Sequence, residues 1–282
     1  MKILRRPLAV LVLSVLALMG FALPSAAITG GEPDGERHPN VALILFYDAG
    51  ARYRCSATLI SPTVLLTAAH CTAGTDGRTL VTFRSVIAAQ PPNPIPAAAN
   101  PSAGYTAAEI AAAGYLSGTA YSHPDYSDFT DPDSWNDVGV IVLDQPVTGT
   151  TPATLAPTGY LDQFRQPRLN STSFTLVGYG TEVRKPLTGP QKPQPMTYPL
   201  LRRTTTSPGQ KLTPQILQLN GNPQDTRDGG GTCFGDSGGP VFLNNYLVAV
   251  TSYGYTENCR YLGGYQRVDI PVVQSWLSTV PR

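Results

Sequence analysis

The sequence has little charge and no cluster of basic residues. Only 14% of its 282 residues are charged, and the formal net charge at neutral pH is +1. Proteins that bind nucleic acid neutralise several phosphates with clustered Lys and Arg side chains. We therefore expect no nucleic-acid partner for this protein.

The apolar run near the start of the chain, from Leu8 to Leu23, is short of the ~20 residues that a membrane-spanning helix needs, and Pro24 ends it. Basic residues precede the run at positions 2, 5 and 6, and small residues follow it at 25–27. This arrangement is typical of an export signal. We interpret residues 1–27 as a signal peptide and expect a secreted, extracellular protein with no membrane contact after cleavage.

Cysteine is scarce as well. The four cysteines lack the paired C-x-x-C spacing of structural zinc sites, so we expect no metal and no other cofactor. In an exported chain, four cysteines indicate two disulfides. Three pairings are open, because spacing alone cannot choose among them.

Residues 28–282 remain after the signal peptide, a length that suits one large all-β domain or two fused barrels sharing a cleft. Short apolar runs such as Val41–Phe46, Cys55–Ile60 and Val64–Ala68 are separated by turn residues. This pattern favours an all-β fold. Farther along, 88–120 is rich in alanine and proline and is expected to be a long surface loop, with a short helix over 107–113.

Glycine is concentrated around one serine, Ser237, in the stretch Gly230–Pro240. Glycine adds no side chain to packing and costs backbone entropy, so such a cluster needs a reason. One reason is that a substrate group approaches the backbone there, where the N–H groups of Gly235 and Ser237 would bind a developing oxyanion. The alternative is a glycine-rich turn ahead of the apolar run Val241–Leu243.

Histidine occurs only three times, at positions 38, 70 and 123. His38 and His123 each precede a proline in a turn, whereas His70 ends an apolar strand beside Cys71. The segment Trp135–Leu143 adds Asp137 just ahead of another apolar run. The chain therefore presents His, Asp and Ser in that order.

Three blocks, Thr67–Cys71, Asn136–Val138 and Gly235–Pro240, together resemble the signature motifs of trypsin-like, chymotrypsin-fold serine proteases. The resemblance covers nearly the whole chain after the leader. It implies two antiparallel six-stranded Greek-key β-barrels, about 28–150 and 165–268, with the active site in the cleft between them. A C-terminal helix over about 270–279 would follow, capped by Asp269.

The same resemblance implies a secreted serine endopeptidase that works through an acyl-enzyme intermediate. His70, Asp137 and Ser237 would form the catalytic triad, and the N–H groups of Gly235 and Ser237 the oxyanion hole. The implied disulfides are Cys55–Cys71 and Cys233–Cys259. Protein or peptide substrates are the expected partners, with protein protease inhibitors as further ones, and the protein is expected to be a monomer.

The primary substrate pocket is expected at Gly231, Thr232, Ser252, Tyr253, Gly254 and Gly263. Trypsin-type enzymes carry an aspartate where Gly231 stands here, so we expect apolar or aromatic side chains to be preferred over Arg and Lys. Asp228 lies close by and leaves the basic preference open. A further departure is Ser56-Ala57, which replaces the usual glycine pair and is expected to keep the neighbouring cleft wall open.

The N-terminus of the mature chain carries a second implied function. In these proteases a new N-terminal Ile pairs with the aspartate before the nucleophile, here Ile28 with Asp236. Because Ala27 directly precedes Ile28, signal cleavage would create this terminus without a propeptide. The loop from Val183 to Pro199 is expected to be mobile and to lie on the cleft rim.

The sequence leaves three alternatives to this interpretation. The pattern Gly235–Gly239 also fits the nucleophile elbow of α/β-hydrolases, but that fold places its histidine after the serine and none follows His123. The subtilisin order would need an aspartate ahead of His70, and Asp34 and Asp48 both lie in polar turns. A catalytically inactive protease fold that serves as a binding module is the remaining alternative.

Overall fold

The structure is a computed structural model that describes residues 28 and 30–281, apart from 184–195, 224 and 228. The loop expected to be mobile between Val183 and Pro199 therefore lies almost entirely outside the described residues, as do the signal peptide and Asp228. Within the described part of the chain, no helix has both the length and the apolar character needed to cross a bilayer.

The first half of the described chain forms a closed antiparallel barrel of six strands. Neighbouring strands follow the order β1-β2-β3-β6-β5-β4, and β4 pairs back onto β1. The strands are β1 Val41–Asp48, β2 Ala51–Ser61, β3 Val64–Thr67, β4 Asp76–Thr82, β5 Leu116–Ser122 and β6 Gly139–Leu143.

The second half repeats this architecture. Six further strands pair in the order β7-β8-β9-β12-β11-β10, and β10 pairs back onto β7. They are β7 Ser173–Gly178, β8 Arg203–Leu212, β9 Ile216–Asn220, β10 Pro240–Leu243, β11 Tyr246–Gly254 and β12 Leu262–Arg267. The expected fold of two six-stranded antiparallel barrels is therefore confirmed.

Shorter elements connect and flank the barrels. The described residues include two α-helices, α1 Ala107–Ala112 and α2 Pro271–Thr279. The two-to-three-residue strands are Glu32–Pro33, Val86–Ala88, Thr154–Leu155, Glu182–Val183, Met196–Thr197 and Leu200–Leu201. The 3-10 helices are Ala69–Cys71, Pro101–Ala103, Tyr160–Phe164 and Arg168–Ser171.

Strand β1 is buried on both faces, which explains its continuous apolar run. Ala42, Ile44 and Phe46 point into the first barrel, whereas Val41 and Leu43 pack on the other face. Alternate residues of a strand point to opposite faces, so a strand covered on both sides needs no polar positions.

The outer face of β1 is covered by the alanine- and proline-rich stretch. Ile95, Ala98, Tyr105 and Ile110 are buried against it. The expectation of a long surface loop over 88–120 is therefore wrong in two respects, because these side chains are in the core and because the segment from Leu116 onward is barrel strand β5. The expected short helix is present as α1, with a capping box between Thr106 and Glu109.

Helix α2 closes the interface between the barrels. Val273 and Leu277 pack in a cluster that includes Val138 of the first barrel and Val268 of the second. The N-cap is Ile270, without a side-chain cap, so the expected capping by Asp269 is wrong. The Asp269 carboxylate instead accepts hydrogen bonds from the Leu161 N–H at 2.7 Å and from Arg267, with which it forms an ion pair at 2.9 Å.

A buried arginine ties the N-terminal segment to both barrels. The Arg202 guanidinium is fully buried and donates to Asp34 at 2.8 Å and to the carbonyls of Val41 and Phe83 at 3.1 and 2.9 Å. Burial raises the pKa of Asp34, but hydrogen bonds from His38 and Arg202 outweigh it, and the pKa lies below its ordinary value. The stabilisation from Asp34 is therefore present above its unfolded-state pKa and is lost as pH falls through the lower folded-state value.

We predict that Arg202→Met lowers the free energy of unfolding by about 3–5 kcal/mol, because it removes the buried guanidinium that pairs with the Asp34 carboxylate and donates to the carbonyls of Gly35, Val41 and Phe83. That corresponds to a fall of roughly 6–20 °C in Tm, measurable by thermal unfolding. Arg37→Met is the matched control, since Arg37 pairs with Glu32 where both side chains are about half exposed or more. The control should change stability by less than about 1 kcal/mol. Equal effects of the two substitutions would contradict the proposed role of Arg202.

Candidate active site

His70 lies where the first barrel faces the second. Strand β3 ends at Thr67, and the 3-10 helix Ala69–Cys71 turns the chain so that the histidine ring keeps 23% exposure. A disulfide between Cys55 and Cys71 joins this turn to β2. The histidine is therefore held on a covalently braced turn rather than on a free loop.

Asp137 orients His70 through two hydrogen bonds. Its side chain is fully buried; one oxygen accepts the His70 backbone N–H at 2.9 Å and the other pairs with His70 Nδ1 at 2.8 Å. Because a carboxylate can only accept, this contact favours the proton on Nδ1. The other ring nitrogen, Nε2, is then free to accept a proton.

Three residues that sequence reasoning did not assign to this task position Asp137. The Ser252 hydroxyl donates at 2.6 Å to Asp137 Oδ2, the oxygen that also pairs with His70 Nδ1. The same hydroxyl accepts from the indole N–H of Trp135 at 3.1 Å. The Asp137 backbone N–H donates to the side-chain oxygen of Gln266 at 3.1 Å. The sequence offers one signal for this role, a glutamine within the buried strand β12. The sequence prediction places Ser252 only in the substrate pocket.

Ser237 lies on the glycine-rich turn that precedes β10, and two positions in this turn require glycine. Gly238 has φ +73°, and a Cβ there would overlap Thr67 Oγ1 and lie 2.6 Å from the Ser56 carbonyl oxygen. Gly235 has φ +95°, and a Cβ would lie 2.7 Å from Arg54 Nε. Left-handed backbone and close approach together leave no room for a side chain.

The turn offers two unused backbone donors. Among the described residues, the N–H groups of Gly235 and Ser237 donate to no protein acceptor. Their neighbours are paired, since the Asp236 N–H donates to Cys233 at 3.0 Å and the Gly238 N–H to Thr251 at 2.8 Å. These two free N–H groups are the ones expected to bind an oxyanion.

Ser56 links the two barrels at this turn. Its hydroxyl donates to the Gly235 carbonyl at 3.0 Å and accepts the Tyr179 N–H at 3.0 Å, and its own N–H donates to the Ser237 carbonyl at 2.8 Å. Ser56 and Ala57 are fully buried. Ser56, which replaces a glycine of the usual pair, thus provides hydrogen bonds to the turn. The two residues do not form the open cleft wall that was expected from their small size.

His70, Gly235 and Ser237 line one cavity of about 560 Å³ between the barrels. The structure thus brings the His–Asp pair and the serine to one place. It does not place a hydrogen bond between Ser237 Oγ and His70, a contact that is often long in ligand-free sites of this kind. Neither other histidine lines this cavity: His38 pairs with Asp34, and His123 is buried, where its Nδ1 accepts the Asp125 N–H.

A second cavity, of about 310 Å³, opens on the other side of Ser237. All six residues expected in the primary pocket line it: Gly231, Thr232, Ser252, Tyr253, Gly254 and Gly263. Tyr255 and Tyr261 add aromatic walls, and the Cys233–Cys259 disulfide, also implied by the resemblance, braces the rim.

The floor of this pocket carries no charge at the expected position. A Cβ on Gly231 would lie 2.8 Å from the Gly221 Cα, so an aspartate there would require the backbone to move. The lining residue Thr232 is polar and neutral, and its Oγ1 lies 3.1 Å from the hydroxyl of Tyr265, which is buried behind it. Among the described lining residues, Glu257 supplies a carboxylate, and its side chain is exposed.

Asp236, beside the serine, is completely buried. Its carboxylate accepts the N–H groups of Gly180 at 2.7 Å and Cys233 at 2.8 Å. Burial raises the pKa of Asp236 to about 6, against the lowering effect of these bonds and of Arg54 and Arg203. The carboxylate is therefore a buried group whose charge is incompletely compensated.

The Ile28 side chain is also fully buried. Residues 1–27 precede it in this chain, so its nitrogen belongs to a peptide bond and not to a terminal ammonium. The ion pair between Ile28 and Asp236 therefore stays a prediction.

One set of three potential metal ligands occurs in the described part of the chain, formed by Cys55, His70 and Cys71. Both sulfurs are joined in the disulfide, so neither is available as a thiolate.

Solved structures of similar fold include HL collagenase, with a TM-score of 0.60 and 18% identity over 91% of this chain and 100% of the other. An inactivated protease paralogue of the scabies mite matches with a TM-score of 0.55 and 17% identity over 89% of this chain and 98% of the other. The fold is thus that of the chymotrypsin-like proteases.

The family model described as Trypsin matches residues 28–277. A trypsin of Saccharopolyspora erythraea is 30% identical over 242 residues, 82% of this chain and 88% of that protein. The chain belongs to the trypsin family, which confirms the resemblance and supports a peptidase hydrolase.

Proposed function

We propose that the protein is a secreted serine endopeptidase that cleaves peptide bonds through an acyl-enzyme intermediate. The observation that carries the proposal is the buried Asp137, which holds His70 Nδ1 at 2.8 Å on the cavity that Ser237 and the free N–H group of Gly235 also line. This arrangement supplies a base, a nucleophile and an oxyanion donor in one place.

In the proposed reaction, Ser237 Oγ attacks the substrate carbonyl while His70 Nε2 accepts its proton. The oxygen of the tetrahedral intermediate is stabilised by the N–H groups of Gly235 and Ser237. His70 then donates the proton to the leaving amine as the C–N bond breaks. Water, deprotonated by His70, hydrolyses the ester on Ser237, and Asp137 stabilises the imidazolium at each step.

The alternative is an inactive protease fold that serves as a binding module. The likeness to the scabies mite inactivated paralogue illustrates that this fold alone does not establish turnover. Here His70, Asp137 and Ser237 are all present, and the Asp137 carboxylate is held by the His70 backbone N–H, His70 Nδ1 and the Ser252 hydroxyl. These features favour the enzyme over the binding module.

Secretion is part of the proposal. Residues 1–27 have the layout of an export signal, and two disulfides suit an oxidising compartment. We expect an extracellular monomer that acts on protein or peptide substrates and is open to protein protease inhibitors.

For primary specificity we propose apolar or aromatic side chains. Gly231 leaves the pocket floor without a carboxylate, and Gly254 leaves one wall open, since a Cβ there would meet nothing closer than 3.9 Å. Tyr253, Tyr255 and Tyr261 offer aromatic surface. Burying an apolar side chain against them contributes about 1.5–3 kcal/mol.

A peptide-library cleavage profile tests both parts of the proposal. We expect kcat/KM for Phe, Tyr or Leu on the acyl side of the cut to exceed that for Arg or Lys by at least about tenfold, equivalent to about 1.4 kcal/mol. Glu257→Gln is the matched control and should keep this preference, because its carboxylate is exposed. Dominance of Arg and Lys would refute the specificity and identify Asp228 or Glu257 as the selector. If no peptide were cleaved and no serine-directed reagent reacted, the binding-module alternative would replace the enzyme.

A further inference from the structure

The two cavities beside Ser237 differ in their chemistry. They share Ser237 and Phe234, but only the larger one includes His70. In the proposed reaction His70 protonates the leaving amine, so the peptide segment after the cut lies on the His70 side. The larger cavity is therefore where residues of the leaving group would lie.

This cavity is lined by two arginines of strand β2. Arg52 and Arg54 are two residues apart, so their side chains project from the same face of the strand. An adjoining cavity of about 330 Å³ is lined by the same two arginines and, among the described residues, by no acidic one. Positive charge thus extends from the neighbourhood of Ser237 along the edge of the first barrel.

Neither arginine forms an ion pair or hydrogen bond with a carboxylate in the described part of the chain, and the buried Asp236 acts on Arg54 through its charge alone. Arg52 donates through Nη1 to the carbonyls of Ile95 and Pro96, and Arg54 through Nη1 to the Pro199 carbonyl at 2.9 Å. Arg54 Nη2 is buried and makes no hydrogen bond to any described residue. Asp48 is the one carboxylate among the described lining residues of the larger cavity, and it forms an ion pair with neither arginine.

The energetics favour an anion in this place. Desolvating a charged group without a partner is costly, and burial lowers the pKa of Arg54 against the opposing effect of Asp236. A carboxylate beside a guanidinium is attracted more strongly the less water remains between the two groups. Guanidinium groups also match the geometry of carboxylates, which makes the contact selective.

We propose that the leaving-group side of the active site selects a carboxylate within the first two residues after the scissile bond, held by Arg52 and Arg54. The proposal rests on the proposed endopeptidase function and adds the class of substrate. The carboxylate has two sources, an Asp or Glu side chain within a longer chain or the free C-terminus of a short leaving peptide.

Matched peptides test this. They share one acyl side and differ at the second residue after the cut, Glu against Gln, with an amidated C-terminus. A third peptide has Gln and a free C-terminal carboxylate on that residue. We expect the kcat/KM ratio of Glu to Gln to be at least about ten in the wild-type enzyme at low ionic strength and to fall as salt is added. Preference for the third peptide over its amide would identify the C-terminal carboxylate as the source.

Variants assign the preference to the arginines. Arg52→Gln and Arg54→Gln should each lower the Glu-to-Gln ratio at least about threefold, whereas Arg54→Lys should retain part of it. Lys211→Gln removes the same charge from β8, outside both cavities, and should keep the ratio. The ratio is informative even though Arg54 packs on Gly235, because a loss of oxyanion geometry lowers turnover of every substrate equally. The wild-type ratio tests the proposal without any variant having to fold.

An ester substrate with no residue after the cleaved bond separates this proposal from the endopeptidase itself. If the ester is hydrolysed while the wild-type enzyme shows no preference for either carboxylate source, selection of a carboxylate is wrong and the endopeptidase stands. If a preference exists but both Gln variants keep it, the assignment to Arg52 and Arg54 is wrong. If neither ester nor peptide is cleaved, both proposals fail.

Discussion

Replacement of Ser237 or of His70 by alanine is expected to lower peptide turnover by about 10⁶-fold, the scale on which a catalytic triad acts as a unit. The reason is that Ser237 Oγ is a poor nucleophile unless His70 removes its proton. The double variant should be no slower than either single one, since each removes the same function. Steady-state kinetics on a cleaved library peptide measures all three.

Asp137→Asn should cost about 10⁴-fold, because an amide that donates toward His70 Nδ1 stabilises the wrong tautomer. Ser278→Ala, on the exposed face of α2, serves as the control and should retain full activity. A serine-directed reagent should label the wild-type protein stoichiometrically and Ser237→Ala not at all. Peptidase activity near the wild-type level in Ser237→Ala would refute the assignment.

A chain that retains residues ahead of Ile28 is expected to be about 10²–10³-fold less active than one that begins at Ile28, the cost of losing one oxyanion donor. Only the shorter chain has an α-ammonium to pair with the buried Asp236 carboxylate. That pair would stabilise the turn between Gly235 and Ser237 in the observed shape, in which both N–H groups are free, against shapes in which one of them is lost. Mass spectrometry identifies the residue at which the chain begins, and active-site titration then measures how activity depends on that starting residue.

Two variants sharpen this comparison. Ile28→Val in a chain that begins at residue 28 should stay active, because the ammonium and a buried aliphatic side chain are both kept. Asp236→Asn should make the long and short chains equally poor, since the partner of the ammonium is gone. A fully active secreted protein that starts well away from Ile28 would contradict this account of activation.

The pH dependence of stability also tests the ion pair between the Ile28 α-ammonium and Asp236, because the two forms of the chain should respond to pH in different directions. In the extended chain the pKa of Asp236 is raised to about 6, so its contribution to stability is present at low pH and is lost as pH rises through 6. In the processed chain the α-ammonium, with an unfolded-state pKa of about 8, contributes stability that persists until pH rises through its higher folded-state value. Between pH 4 and 7, Tm of the extended chain relative to its Asp236→Asn variant should therefore fall, and Tm of the processed chain should not. The same trend in both chains would argue against the ion pair.

The sequence by itself indicated an all-β fold and three short motifs in the order His, Asp, Ser, and the resemblance of these motifs to a known family implied the two barrels and the disulfide pairing. Gly238 has a left-handed backbone and lies against Thr67 and Ser56, so this position needs glycine. His70 likewise follows a strand and precedes Cys71, which forms a disulfide with Cys55. Local requirements of this kind produce short sequence motifs, and the order of these motifs along the chain can be recognised without a structure. The run Val41–Phe46 likewise predicted a buried strand, since its composition allows no solvent-facing side.

Tertiary structure alone decided how the site is held and charged. Ser252 lies 115 residues from Asp137, and Arg202 lies 168 residues from Asp34, yet each pair is joined by a hydrogen bond of 2.8 Å or less. No local pattern marks such contacts, because the partner of a buried polar group is set by which strands the two barrels bring together. Ile95 and Ile110 show the same limit, since a segment rich in alanine and proline, whose regular structure is confined to short helices, still covers β1 with apolar side chains. The positive charge of Arg52 and Arg54 beside Ser237 likewise exists only once β2 is folded against the second barrel.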